Sequence, residues 1–267
     1  ARLPRTRRHG REGRSRMSLR ITAAVARRVL TQLKHDHRTL GLLLFMPSLF
    51  MALLWWMFED SAAASFDRFA PALLVIFPFF VMFLVTSVTT LRERSSGTLE
   101  RLLAMPTGKI DLLGGYALAF GLMAALQSTI AVTTSVYLLD LDIAGPVWML
   151  VVVAVVDAVL GSSLGLFVSA FARTEFQAVQ FMPAVVTPQV LLCGLFVPRE
   201  DLPTVLREIS DVLPLSYAVD AMAAVATISS DAFAGVDPQV WPDLAVIAAF
   251  VAGCLFLGAA TLRRRTA

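Results

Sequence analysis

The sequence is poor in what soluble enzymes rely on. Only 16% of its 267 residues are charged, against 57% hydrophobic, and so apolar a balance excludes an ordinary soluble domain of this length. Lysine is nearly absent, at two residues against 21 arginines. The two cysteines, Cys193 and Cys254, lie inside apolar runs without CxxC or histidine spacing, which points to neither a disulfide nor a metal site. His9, His35 and His37 all fall in the basic N-terminal region, where an HxH pair reads as a solvated surface. No phosphate-binding loop of the G-x-x-x-x-GK-[ST] kind is present: the Gly108 and Lys109 pair has Leu103 five positions before the glycine. The chain is therefore expected to bind no ATP and no other cofactor. A Ser/His/Asp group, a Cys/His group and paired carboxylates on one apolar face are also missing, which leaves an enzyme reading without support.

What the chain has is long apolar runs. A bilayer crossing needs about 20 such residues, and runs appear at 40–58, 71–91, 112–139, 147–171, 176–197 and 244–262. The expected class is all-α integral membrane with six transmembrane helices. Pro183 and Pro188 predict kinks in the fifth. An even number of spans puts both termini on one side. With the termini cytoplasmic, 20 of the 23 basic residues fall on that side and only Arg68, Arg199 and Arg207 fall outside, as the positive-inside rule requires.

Residues 1–17 are arginine-rich and almost devoid of apolar side chains, and so predict a disordered extension ahead of a start at Met17; no apolar core follows within signal-peptide reach. From Ser18, a possible cap, residues 18–37 are amphipathic. Ile21, Val25, Val29 and Leu33 share one helical face, while Arg20, Arg27, Thr31 and Lys34 share another. This is either an interfacial helix on the cytoplasmic leaflet or an extension of the first span. The 18–267 segment reads as one membrane domain. Between 198 and 230 apolar residues at helical spacing, among them Val205, Leu206, Ile209 and Val212, predict short helices in the outer half of the membrane. Gly161 and Gly165 form a GxxxG pair, and Gly114, Gly115 and Gly121 cluster in the third span; both patterns favour close helix packing. Asp157 is the one ionisable residue deep in a span. It is either a contact for a cationic substrate or proton, or a partner of Ser162, Thr133 or another polar group.

The segment 91–106, LRERSSGTLERLLAMP, is an island of charge between two apolar runs. Ser95, Ser96 and Gly97 can end one helix and Thr98 can cap another, whose Leu99, Leu102 and Leu103 make an apolar side. By its own chemistry it is a docking element or a charged loop. RERSSGTLERLLAMP resembles the cytoplasmic signature of the type-2 ABC exporter permeases. The later string CGLFVPREDLPTVLREISDVLPLSYAVDAM resembles the same family's motif before the last span, through Gly194, Pro198, Leu202, Pro203, Leu206, Pro214, Tyr217 and Asp220. Within the family it looks most like the daunorubicin/doxorubicin-resistance-type actinobacterial exporters.

The resemblance implies an N-terminal interfacial helix, a cytoplasmic coupling region at 92–108 and external re-entrant helices. It also implies two permease subunits, identical or paralogous, and two separate cytoplasmic ATPase subunits that bind ATP and Mg. By carry-over Glu93, Arg94, Ser96, Gly97, Thr98, Glu100 and Arg101 contact the ATPase, Ser95 standing where the family often has a charge. A hydrophobic or amphipathic compound is expected to leave a bacterial cell membrane along Phe79, Phe80, Met82, Phe83, Asp157, Phe181, Met182 and Gln189, in contact with membrane lipids and with no nucleic acid involved. The competing readings are a proton-coupled secondary transporter using Asp157, and a non-transporting membrane anchor for a cytoplasmic partner.

Overall fold

The computed structural model describes residues 19–59, 64–97, 109–227 and 237–261, and the regular structure among them is entirely helical. Helix α1 (Leu19–His35) buries Thr22, Val25, Ala26, Val29 and Leu33 at the spacing of one face. That face rests on α4 (Lys109–Tyr137). The close approach needs Gly115, where an added Cβ would stand 2.5 Å from Val25 and 3.0 Å from the Thr22 carbonyl. The apolar side of α1 is thus covered by protein, whichever way its basic side faces. Asp36 separates α1 from α2 (His37–Phe58) and caps the latter, accepting from the Thr39 hydroxyl at 2.6 Å and the Thr39 amide at 3.1 Å. Those bonds from Thr39 hold the Asp36 carboxyl below the usual carboxylate range. The cap makes α1 a helix of its own and not an extension of the first span. Ser18 lies outside the described residues.

Helix α3 (Ala64–Ser95) is the longest, at 32 residues, and tolerates Pro71 and Pro78 within it. Its most extensive partner is α5 (Val147–Val168). Gly161 and Gly165 of α5 lie directly against the backbone carbonyls of Phe79 and Phe83, so the GxxxG pair packs helices within one subunit. Beyond α5 come α6 (Glu175–Leu192), a 3-10 turn at Arg199–Asp201, α7 (Thr204–Val212), α8 (Pro214–Thr227) and α9 (Val240–Thr261).

Among the described residues five helices, α2, α3, α4, α5 and α9, are long and apolar enough to cross a membrane. The expected fifth span, 176–197, corresponds to α6 and is not among these five. Gln177, Gln180 and Gln189 dilute its apolar character, and its 18 residues include Pro183 and Pro188. A sixth crossing by length and composition comes instead from α7 and α8 together, bent by 91° where they meet. Helix α8 runs into the body of the protein, burying Leu215, Ala218, Val219, Ala221, Met222 and Val225 in the main core beside α3, α5 and α9. The Ala144 amide donates to the Ala226 carbonyl at 3.0 Å. Interrupted backbone of this kind survives at membrane depth only where protein surrounds it. Helix α7 buries only Ser210 and leaves Val205 and Val212 each 67% exposed, an unshielded apolar face of the kind expected for a helix lying in the membrane boundary.

Candidate functional site

The last turn of α3 gathers three consecutive charges, Arg92, Glu93 and Arg94, and sends them to different neighbours. Arg92 points outward and makes a two-pronged pair with Glu175 at the start of α6, Nε and Nη2 each donating at 2.9 Å. Both side chains are about half exposed, at 57% and 50%. Replacing Glu175 with glutamine is therefore expected to cost under about 1 kcal/mol, read as a small change in thermal midpoint. Glu93 turns the other way and is 3% exposed. It accepts from the buried Tyr116 hydroxyl of α4 and from Arg28 Nη2 of α1, the latter at 3.4 Å. Arg94 Nη1 donates to the Ser169 carbonyl at 3.0 Å, occupying one of the acceptors left open at the end of α5. One turn of helix thereby ties α3 to α1, α4, α5 and α6.

The turn then stops. Ser95 and Ser96 hydroxyls donate back to the Arg92 and Glu93 carbonyls at 3.0 and 3.2 Å. Gly97 takes φ +70°, in the left-handed region that ends helices and suits glycine. Glu93 and Arg94, expected at a partner's surface, have internal partners, whereas Ser95 and Ser96 are exposed. Thr98, Glu100 and Arg101 lie outside the described residues. Tyr116, Arg28, Glu175 and Ser169 were not singled out by the sequence. Arg28, on the basic face of an amphipathic helix, was the one with a usable signal.

At the far end of α3 the second motif closes around Arg199, one of the few basic residues on that side. Its guanidinium pairs with Asp220 of α8 and Asp211 of α7 and lies over the Tyr217 ring at 5.4 Å. The Tyr217 hydroxyl donates to the Asp211 carbonyl at 2.6 Å. Gly194, at φ +96°, sits against the Arg199 side chain. Pro198 and Pro203 precede the short turn and α7, and Pro214 opens α8. The motif's prolines, tyrosine and aspartate thus hold the bend between α7 and α8.

The expected pathway residues do not form one lining. Phe79, Met82 and Phe83 are fully buried within the subunit, against α5 and its neighbours. Phe80, Phe181 and Met182 are half-buried. Asp157 is fully buried, and neither carboxylate oxygen has a hydrogen-bond partner among the described residues. The expected bond to Ser162 is absent because that hydroxyl donates to the Val159 carbonyl, and Thr133 faces outward. Gln189 is 3% exposed and uses Nε2 to donate to the Val185 carbonyl at 3.0 Å. Among the described residues no group of three metal-type ligands occurs.

Comparison with known proteins places these features. The chain is 28% identical over 156 residues to ABC transporter G family member 20 of Dictyostelium discoideum, covering 58% of this chain and 21% of that protein. It is 26% identical over 150 residues to the probable multidrug ABC transporter permease YbhR of Escherichia coli, covering 56% and 41%. It is 23% identical over 167 residues to the probable multidrug ABC transporter permease YbhS of the same species, covering 62% and 44%. The aligned part spans less than half the length of each of these relatives. The model of the ABC-2 type transporter family matches residues 21–226, from α1 through α8, and the chain belongs to that family of multi-pass membrane permeases.

Proposed function

We propose that this chain is the membrane-spanning subunit of an ATP-driven exporter, of the daunorubicin-resistance type, that moves a hydrophobic or amphipathic compound outward across a bacterial plasma membrane. Six crossings with both termini cytoplasmic agree with the distribution of arginine. The sequence holds no phosphate loop, so the energy comes from a separate ATPase that binds ATP and Mg, two copies serving two permease subunits. The observation that carries the reading is the α3 terminus, which joins four other helices through adjacent side chains and then breaks at Gly97 into the 98–108 segment.

In this arrangement Ser96, Gly97 and the residues beyond, including Thr98, Glu100 and Arg101, meet the ATPase. Glu93 and Arg94 anchor that contact from inside. A push on the segment reaches α1, α4, α5 and α6 together. The deciding experiment is purification of the full chain with the products of its neighbouring genes: recovery of an ATPase supports the reading, and its absence ends it. Gly97→Val, a β-branched residue forced to positive φ, is expected to leave the protein in the membrane while reducing ATP-driven transport at least about tenfold, a factor equal to 1.4 kcal/mol of coupling. Transport measured per molecule of membrane protein checks this, and unchanged transport would remove the 98–108 segment from the force path.

A further inference from the structure

A cleft of about 650 Å³ opens between α5, α6 and α9, beneath the bend where α7 meets α8. Leu160, Leu164 and Phe167 form one wall and Phe250 and Leu257 the other, with Leu213 of the bend at its end. The volume falls within the few hundred to about a thousand Å³ typical of small-molecule sites. The lining is apolar but for Gln189 and the thiol of Cys254. Gln189 commits its amide nitrogen to the Val185 carbonyl, leaving Oε1 buried and without a partner among the described residues. A buried acceptor left open costs free energy until a donor reaches it.

We propose that this cleft binds a membrane-dissolved amphiphile: an apolar body of lipid-chain or polycyclic size bearing at least one hydroxyl or N–H that donates to Gln189 Oε1. A saturated hydrocarbon tail alone would fill the walls and leave the oxygen unsatisfied. A molecule with one donor on an apolar frame does both. The cleft lies within one subunit and is distinct from the Phe79, Met82 and Phe83 cluster packed against α5. Binding there is a property of this chain whether or not an ATPase is attached, and so stands apart from the export reading.

The chain carries its own reporter. Cys254 is partly exposed in the cleft and Cys193 is fully buried. In membranes containing the full chain, without ATP, an apolar fluorescent maleimide is expected to label Cys254, and Cys254→Ser to abolish labelling. Added 1-hexadecanol is expected to slow that labelling about three- to tenfold more than its methyl ether at equal membrane concentration. The two probes differ by one donor, and the range is what one net hydrogen bond gives. Gln189→Leu should make the two probes equal. If that variant exposes Cys193 to the label it has lost its fold, and Leu164→Trp, which fills the cleft without touching Gln189, decides instead by removing protection by both probes. Equal protection by alcohol and ether in the native chain overturns the proposal. So does the absence of any protection, or a Cys254 that never labels because a second copy covers it.

Discussion

Gly161→Val should prevent the protein from accumulating in the membrane. The glycine lies against the Phe79 carbonyl so closely that an added Cβ would overlap the oxygen and stand 3.0 Å from the Phe79 carbonyl carbon and Cα. The obstacle is backbone on the opposite helix, which cannot rotate aside as a side chain could. Relief requires α3 and α5 to separate, and this pair is the most extensive helix contact in the fold. Separation would uncover Phe79, Phe83, Val153, Ala154 and Leu160, all fully buried. Overpacking in a well-filled core costs typically about 1–3 kcal/mol where side chains can adjust. Here adjustment is denied, so the cost should reach the upper end or beyond, a large share of the 5–15 kcal/mol that stabilises a typical protein. Gly165→Val repeats the clash one turn on, against Phe83. Gly253, with nothing within 4 Å of its would-be Cβ, supplies the control: Gly253→Ala should accumulate normally. Fluorescence of a C-terminal reporter after mild detergent extraction measures all three, and normal recovery of Gly161→Val would show that the α3–α5 contact is looser than its geometry implies.

Most of the helices could be read from hydropathy because membrane crossing constrains length and polarity so tightly. Helices α2, α3, α4, α5 and α9 lie where apolar runs predict them. The α6 segment reads differently because three glutamines and two prolines are spread through an apolar run, and the ear for long hydrophobic stretches passes over them. The GxxxG spacing announced close packing but not its partner, since Phe79 and Phe83 enter through backbone carbonyls that no side-chain pattern encodes. The charged turn RER was visible as a cluster. Its division of labour was not, because three adjacent helical positions point about 100° apart, and only the assembled bundle tells which direction is inward. Arg199 stayed inconspicuous for a related reason: its partners Asp211 and Asp220 lie 12 and 21 residues away and meet only when the α7–α8 bend forms.

Glu93→Leu should destabilise the bundle by about 2–4 kcal/mol and disconnect it from ATP-driven transport. The sum has two parts. The Tyr116 hydroxyl, on a side chain 2% exposed, loses its acceptor, which costs about 1–3 kcal/mol for a buried group left unsatisfied. Arg28 loses its ion partner but keeps 35% of its side chain accessible, so water recovers most of that term and the loss is under about 1 kcal/mol. The two-part account makes a sharper claim than the total. Tyr116→Phe alone should destabilise modestly. In the Glu93→Leu background the same change should be neutral or stabilising, because it removes the orphaned hydroxyl, and the cycle would then show coupling of about 1 kcal/mol or more. Glu93→Gln keeps an acceptor for Tyr116 and should retain most of the stability. If Glu93 instead met the ATPase directly, Glu93→Gln would weaken ATPase recovery while leaving thermal midpoints and the Tyr116 cycle unchanged. Paired measurements of thermal midpoint and ATPase recovery across Glu93→Leu, Glu93→Gln, Tyr116→Phe and the Glu93→Leu/Tyr116→Phe double variant separate an internal anchor from a surface contact, because only the anchor makes the effect of one buried residue depend on the other.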